Sequence, residues 1–182
     1  MTLLIRTARL SLLPMTAEIV ALEMQDRTQF AALLGAEVPV NWPPEMLRDA
    51  LPWFAEQLTT KTGMLGWLGW YALCHRSGEI PLLVGSGGFL GTPENGVAEV
   101  GYSVLPQYQG QGYGTEMVGG LTDWALSQPD VQRLAAETGE ANLASRRLLE
   151  KLGFTAVRDG RETGDVRFER TKEPQEEKAP GR

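Results

Sequence analysis

The middle of the chain contains three apolar segments that are separated by two short turns. The segments span residues 67–74, 81–90 and 97–105, and the turns span residues 76–79 and 92–96. Each segment has the length of a β-strand, and Asn95-Gly96 tolerates the positive φ of a tight hairpin turn. The pattern predicts an antiparallel three-stranded meander, which argues against a chain built only of parallel βαβ units.

The residues before the meander predict one strand and two helical stretches. Residues 2–13 predict a strand, and residues 17–34 predict a helix that breaks near Asp26. In residues 45–58 apolar side chains recur every three or four positions, which is typical of a helix with one apolar face. Pro52 lies inside this stretch and is expected to kink or split it.

The residues after the meander predict two more helices and a second group of strands. A loop and helix are predicted for 110–128, a strand for 132–137, a helix for 142–152, and a hairpin for 154–158 and 166–170. This order predicts an α+β fold with a mixed sheet and helices on both faces. Residues 1–170 are expected to form a single domain, and the polar residues 171–182 a disordered tail.

Composition excludes several classes of function. The single cysteine, Cys74, permits no internal disulfide, and together with the single histidine, His75, it makes no cluster with metal-ligand spacing. The net charge of −6 argues against a nucleic-acid partner and is weak support for cationic substrates. Because the sequence has neither a membrane span nor a signal peptide, no membrane partner and a cytoplasmic location are expected.

A glycine-rich turn joins the third meander strand to the next helix. Residues 109–114 read Gln-Gly-Gln-Gly-Tyr-Gly, with a glycine at every second position. Glycine lets the backbone turn tightly and approach a ligand, and the first N–H groups of a helix suit phosphate oxygens. The alternative is a connector without a ligand. The spacing matches neither the Walker nor the Rossmann pattern.

Three stretches together resemble the GNAT superfamily of acyl-CoA-dependent N-acetyltransferases. Gln109-x-x-Gly112-x-Gly114 resembles its pyrophosphate loop, residues 98–104 resemble its central strand, and Asn142 to Phe154 resembles its later helical segment. Residues 7–12 also fit the branch that contains the ribosomal-protein alanine and serine N-terminal acetyltransferases.

The resemblance implies six or seven mostly antiparallel strands, with a V-shaped gap between 97–105 and 132–137 that takes acetyl-CoA and no metal. Pantetheine would follow the end of the first of these strands, and the glycine-rich turn would hold the pyrophosphate through its main-chain N–H groups. The implied binding residues are Val104, Leu105, Gln109, Gly110, Gln111, Gly112, Tyr113, Gly114, Thr115, Asn142 and Ser145. Asn142 also suits a helix N-cap.

Glu99 is the predicted general base, acting through a water, because related enzymes often carry a glutamate at this position of the strand. Its alternative is a solvent-facing strand residue. Many relatives supply a tyrosine acid seven residues after the motif asparagine, where this chain has Leu149. Tyr102, Tyr113, Ser145 or a water can substitute, or no acid is needed, since a thiolate is a tolerable leaving group. A free backbone N–H of Val104 or Leu105 is the expected oxyanion donor.

The predicted reaction is acetyl transfer from acetyl-CoA to a primary amine by direct attack in a ternary complex. The amine is a protein N-terminus or a small molecule, and the enzyme a monomer or homodimer. The competing interpretations are a CoA-binding sensor without catalysis and an acyltransferase with another donor or acceptor. Aromatic residues before and within the meander are candidates for the acceptor pocket: Trp42, Trp53, Phe54, Trp67 and Trp70.

Overall fold

One mixed sheet of eight strands organises the protein. The computed structural model describes residues 3–173. The strands are β1 (Ile5–Arg6), β2 (Leu10–Pro14), β3 (Gly69–Cys74), β4 (Leu82–Phe89), β5 (Val97–Val104), β6 (Arg133–Gly139), β7 (Thr155–Asp159) and β8 (Asp165–Thr171). They are arranged in the order β1-β2-β3-β4-β5-β6-β8-β7, and every neighbouring pair is antiparallel except β5 and β6.

Five α-helices cover the two faces of this sheet. They are α1 (Ala17–Gln25), α2 (Arg27–Leu34), α3 (Glu45–Thr60), α4 (Tyr113–Ser127) and α5 (Leu143–Lys151). On one side, called the α4 face, Met117 of α4 and Leu149 of α5 pack into the core against the sheet. On the opposite side, called the α3 face, Phe30 of α2 and Leu51 of α3 belong to a second core. The predicted α+β fold with helices on both faces is confirmed.

The N-terminal segment forms two strands, where one was predicted. Residues 7–9 reverse the chain, and the N–H of Thr7 donates to the carbonyl of Leu10 at 2.9 Å. This hairpin explains why the sheet has eight strands rather than six or seven.

Helix boundaries follow local capping. The predicted break at Asp26 is confirmed, because its carboxylate accepts from the N–H groups of Thr28 and Gln29, both at 3.0 Å, and so begins α2. Pro52 does not split α3, which runs from Glu45 to Thr60. A proline removes one backbone donor, and here apolar side chains on both sides of Pro52 pack into the core of the α3 face, Leu51 before it and Phe54 after it.

The two central strands, β5 and β6, separate after a short region of pairing. Val97, Ala98 and Glu99 pair with residues 133–135 in parallel. Beyond this point β5 remains paired with β4, and β6 with β8. The sheet therefore opens into the V-shaped cleft that the resemblance implied.

The C-terminal end of the sheet lies beyond the expected domain boundary. Thr171 is the last residue of β8, and the N–H of Lys172 donates to the carbonyl of Gln132 at 2.8 Å. Residues 174–182 of the predicted tail lie outside the described part of the chain. No helix within residues 3–173 is long and apolar enough to cross a membrane. The same residues contain no cluster of three or more histidine, cysteine or acidic side chains suited to a metal ion.

The carboxyl group of Glu23, a residue of α1, lies on the α3 face of the sheet. Glu23 accepts a hydrogen bond from Trp42 Nε1 at 2.7 Å and another from the Tyr71 hydroxyl. Burial raises the pKa of Glu23 from 4.5 to about 7, although both hydrogen bonds act in the opposite direction. The folded protein therefore holds a proton on Glu23 at pH values where the unfolded chain has released it.

The free energy of unfolding is expected to fall as the pH rises from about 4.5 to about 7. Over that range the native state binds more protons at Glu23, so the contribution is complete below the unfolded pKa and lost through the folded pKa. The maximum change is roughly 3 kcal/mol. Urea unfolding of the wild type and Glu23→Gln at several pH values measures it. An identical pH dependence in both proteins contradicts the assignment.

Candidate active site

The open end of the cleft is formed by the segment between β5 and α4 together with the start of α5. A 3₁₀ turn, Pro106–Tyr108, follows β5 and leads into the glycine-rich turn. Gly110 and Gly112 have φ values of 73° and 84°, in the left-handed region that favours glycine, and Gly112 is the N-cap of α4. The two glycines therefore permit the abrupt change from strand to helix.

The glycine-rich turn presents a row of unpaired donors. The first α-helical bond of α4 joins the N–H of Glu116 to the carbonyl of Gly112 at 3.1 Å. Within the described chain, no acceptor is recorded for the backbone N–H groups of residues 110–115. These groups lie at the positive end of the α4 dipole. Such a row of donors suits the oxygens of a pyrophosphate.

Two polar side chains hold this turn on the rest of the fold. Gln109 Nε2 donates to the carbonyl of Val104 at 2.9 Å and so ties the turn to the end of β5. Arg9 comes from the β1–β2 hairpin, donates to the carbonyl of Gln111 at 3.0 Å, and lies over the ring of Tyr113. Its partner Glu116, at 2.8 Å, fixes the guanidinium beside the turn.

The main chain of β5 offers donors to the cleft at alternate residues. The N–H of Leu105 donates to the carbonyl of Val84 at 3.0 Å, within the antiparallel ladder between β4 and β5. The expectation of a free N–H at Leu105 is therefore wrong. Because the ladder alternates, Tyr102 and Val104 direct their N–H groups the other way, toward the gap between β5 and β6.

The start of α5 faces the same part of the cleft. Asn142 is the N-cap of α5, as predicted, and its side chain accepts a hydrogen bond from the N–H of Ser145 at 3.1 Å. The Ser145 hydroxyl lies 2.7 Å from the Tyr102 hydroxyl. Burial raises the pKa of Tyr102, and the hydrogen bond to Ser145 opposes the rise. Tyr102 therefore keeps its proton across the neutral range, as a hydrogen-bond donor or acid requires.

The other two candidate positions for a tyrosine acid, residues 113 and 149, do not place a hydroxyl in the cleft. Leu149, where many relatives have tyrosine, is fully buried in the core of the α4 face. Tyr113 makes a hydrogen bond at 3.4 Å with the thiol of Cys74, at the end of β3. Since β3 lies two strands from the gap, the Tyr113 hydroxyl belongs to the support of the turn rather than to the cleft.

Glu99 lies on β5 and points to the α3 face. Its register with β4 has no bulge, so it shares a face with Gly101 and Ser103, as the regular alternation predicts. Its carboxylate pairs with Arg161 and, at 3.3 Å, with Arg167. Both arginines also pair with Glu137 of β6, each at 3.1 Å. This group, which also includes Glu169 and Arg133, is called the arginine–carboxylate cluster.

A cavity of about 180 Å³ opens between α3 and the strands β4 and β5. Of the aromatic residues predicted for an acceptor pocket, only Phe54 lines it. Trp42 is buried in the core of the α3 face, whereas Trp67 and Trp70 pack with Trp124 on the α4 face. Trp53 is partly exposed beside Phe54. Trp42 and Trp70 therefore belong to the two cores, and Trp67 packs against one of them. Aromatic content alone does not show which face of the sheet a residue covers.

Sequence reasoning missed the residues that act through long-range contacts. The sequence pattern of residues 7–12 contains Arg9 but predicts no role for its side chain, and no pattern points to Arg161 or Arg167. The contact between Tyr102 and Ser145 joins residues 43 positions apart. No local spacing rule identifies such pairs, since they depend on how β5 and α5 meet.

Comparisons with known proteins give a family for this geometry. Residues 3–155 match the family described as acetyltransferase (GNAT) domain. The uncharacterized N-acetyltransferase YjdG of Bacillus subtilis (strain 168) is 36% identical over 154 residues, which cover 83% of this chain and 89% of that relative.

Solved structures share the fold. RimL, a ribosomal L7/L12 alpha-N-protein acetyltransferase in complex with coenzyme A, gives a TM-score of 0.64 at 18% identity over 93% of this chain and 98% of that one. The ribosomal-protein-S5-alanine acetyltransferase from Vibrio fischeri gives 0.62 at 16% identity over 93% and 97% of the two chains.

Proposed function

Since this chain belongs to the GNAT family of N-acetyltransferases, we propose that it transfers the acetyl group of acetyl-CoA to a primary amine by direct attack in a ternary complex. The observation that carries the proposal is the row of unpaired N–H groups at residues 110–115, beside the gap between β5 and β6. The turn and the gap together offer a site for the pyrophosphate and a channel for the thioester in one continuous cleft.

Residues on both sides of the gap bind the substrate acetyl-CoA. The N–H groups of residues 110–115 hold the pyrophosphate, and the free main-chain groups of Tyr102 hydrogen-bond an amide of pantetheine as an added strand does. Gln109 keeps the Val104 carbonyl occupied and so maintains the register between turn and strand. Asn142 fixes the start of α5, and Ser145 lies at the thioester end.

The protein has three tasks in the transfer step. It orients the amine nitrogen toward the thioester carbonyl carbon, removes one proton from the ammonium form, and stabilises the oxyanion. As the C–S bond breaks, the sulfur receives one proton and the nitrogen loses its second proton, which leaves the neutral amide and the thiol. The N–H of Val104 is the proposed oxyanion donor, because the N–H of Leu105 is bonded to Val84. Glu99, acting through a water from the α3 face, is the proposed base.

Tyr102 is the proposed acid for the leaving thiolate, with Ser145 as its hydrogen-bond partner. Tyr102→Phe is expected to lower kcat by about tenfold to a hundredfold. The size depends on how much the thiolate, whose thiol has a pKa of roughly 8.5, needs a proton to leave. The affinity for acetyl-CoA is expected to change less than about threefold, since the substitution removes at most one hydrogen bond. Steady-state kinetics and calorimetry measure the two quantities.

Ser145→Ala provides the matched comparison for Tyr102. If the two hydroxyls act as one unit, the double variant is no slower than Tyr102→Phe alone. The paired acid is ruled out if the fall in kcat of the double variant equals the product of the falls in the two single variants. An unchanged kcat in Tyr102→Phe also rules it out.

The proposed reaction is tested by thiol release. The protein is incubated with acetyl-CoA and a panel of peptides, amino acids, polyamines and aminoglycosides, and products are identified by mass spectrometry. Amine-dependent release with a gain of one acetyl group supports the proposal. Acetyl-CoA binding without release by any amine would instead leave the non-catalytic binding module, and esters or longer acyl products would indicate a different transfer.

A further inference from the structure

The cavity on the α3 face has an uncharged lining throughout. Met15, Ala50 and Phe54 contribute apolar side chains, and Gly88 and Gly101 form part of its floor. Ser86 and Ser103 contribute hydroxyl groups, and no lysine, arginine, aspartate or glutamate lines it. A site with this lining favours apolar groups, because burying an unpaired charge there carries a large desolvation cost.

The cavity touches β5 beside the proposed transfer site. Gly101 and Ser103 point from β5 to the α3 face, whereas Val100 and Val104 pack against the core of the α4 face. Tyr102, between Gly101 and Ser103, also lines the cavity, although its side chain packs against the core of the α4 face, where its hydroxyl contacts Ser145. A group in the cavity therefore lies next to the strand that carries the proposed thioester site.

The mouth of the cavity continues the apolar lining to the surface. Met46 of α3 is 86% exposed and Leu90, directly after β4, is 57% exposed, although both line the cavity. Large apolar side chains at a cavity mouth mark a surface that a ligand covers.

The arginine–carboxylate cluster next to the cavity has no spare negative charge. Its three carboxylates, from Glu99, Glu137 and Glu169, are matched by the guanidinium groups of Arg133, Arg161 and Arg167, and each carboxylate is paired. A polycationic acceptor gains no net attraction from such a balanced group.

We infer that the acceptor is a primary amine that carries a compact aliphatic group next to the amine. This inference rests on the proposed function and names its substrate class. The cavity of about 180 Å³ is large enough for a branched side chain of the size of leucine. Polyamines and aminoglycosides, whose amines are surrounded by further charge and hydroxyl groups, do not match this lining.

Gly101 provides a way to fill the cavity without disturbing the fold. A Cβ built on Gly101 meets no atom within 4 Å, and Gly101 is not among the glycines with positive φ. Gly101→Ala and Gly101→Val therefore place a small and then a larger side chain in the cavity and reduce its free volume in two steps. Gly119→Ala on α4 is the control, since its Cβ makes an ordinary contact of 3.5 Å with Leu152.

The test compares pentapeptides that differ only in their first residue, Gly, Leu, Asp or Lys, together with isopentylamine and spermidine. The Leu peptide and isopentylamine are expected to exceed the charged acceptors at least tenfold in kcat/KM, since each buried methylene contributes about fourfold. Gly101→Val is expected to lower kcat/KM for the Leu peptide at least tenfold, Gly101→Ala less, and Gly119→Ala not at all. The Kd for acetyl-CoA is expected to stay within twofold in all three variants.

The outcomes separate the two proposals. Acetylation that favours Asp, Lys or spermidine, or a Gly101→Val variant that slows all acceptors equally, overturns the apolar acceptor and leaves the transferase intact. Bound acetyl-CoA with no acetylation of any amine overturns both.

Discussion

Replacing Gly112 by aspartate is expected to weaken acetyl-CoA binding by at least a hundredfold. Gly112 has φ of 84° and stands directly before the unpaired N–H groups of α4. A carboxylate at this position repels the pyrophosphate and competes for the same donors. Its Cβ also lies 3.3 Å from Arg9 Nη2, so the new charge pairs with the guanidinium that now supports the turn. A loss of about 2.7 kcal/mol corresponds to that hundredfold change.

The matched controls separate charge from backbone strain. Gly112→Ala introduces strain without charge and is expected to weaken binding by about tenfold. Gly35→Asp places the same residue at another left-handed glycine, with φ of 59° and no atom within 4 Å of its Cβ. It is expected to alter stability but not binding. Calorimetry with acetyl-CoA and thermal unfolding measure the two effects. A folded Gly112→Asp protein with normal affinity contradicts the pyrophosphate assignment.

Glu99→Gln is expected to lower kcat at neutral pH by about a hundredfold or more, which is the usual contribution of a general base. Glu99 lies on the face of β5 that carries Gly101 and Ser103, and these two residues line the proposed acceptor cavity. The affinity for acetyl-CoA is expected to stay within about threefold, because the Glu99 side chain points away from the α4 turn and the change alters only its pairings with Arg161 and Arg167. The loss should shrink as the pH approaches the pKa of the acceptor amine, where the amine supplies its own neutral form.

Glu137→Gln distinguishes a base from a structural role of the same charge. Glu99 and Glu137 pair with the same two arginines, so either change removes one carboxylate from the arginine–carboxylate cluster. If Glu99 only organises that cluster, the two variants lose activity alike and with the same pH profile. If Glu99 is the base, only Glu99→Gln shows a slow step that high pH restores. Equal rates for Glu99→Gln and the wild type at every pH remove the assignment.

Most elements of the fold follow from local sequence signals. The meander, the break at Asp26 and the helices after Gly112 and Asn142 each depend on contacts within a few residues, such as a cap or a turn. The single N-terminal strand was predicted incorrectly because Thr7, Ala8 and Arg9 contain neither glycine nor proline. Their reversal depends on the bond from Thr7 to Leu10 and on the docking of Arg9 against α4.

The backbone of the glycine-rich turn was predictable, whereas the contacts around it were only partly so. Alternate glycines before an amphipathic helix predict a tight turn with free N–H groups, because the required backbone geometry is a property of those residues alone. The engagement of the Leu105 N–H by Val84 depends on the register of two strands, and the contact of Tyr102 with Ser145 on the approach of β5 and α5. Neither leaves a pattern along the chain.

The sequence by itself determined the family resemblance, the glycine-rich turn and the order of elements, since these rest on local backbone conformation and periodicity. Only the tertiary structure decided which tyrosine contacts Ser145, which arginines pair with Glu99, and which aromatic residues lie in the core. The physical reason is that these features depend on side chains far apart in the chain, whose distances are set by sheet register and by the face that each helix covers. The apolar cavity beside Gly101 belongs to the same group, because its walls come from α3, β4 and β5 together.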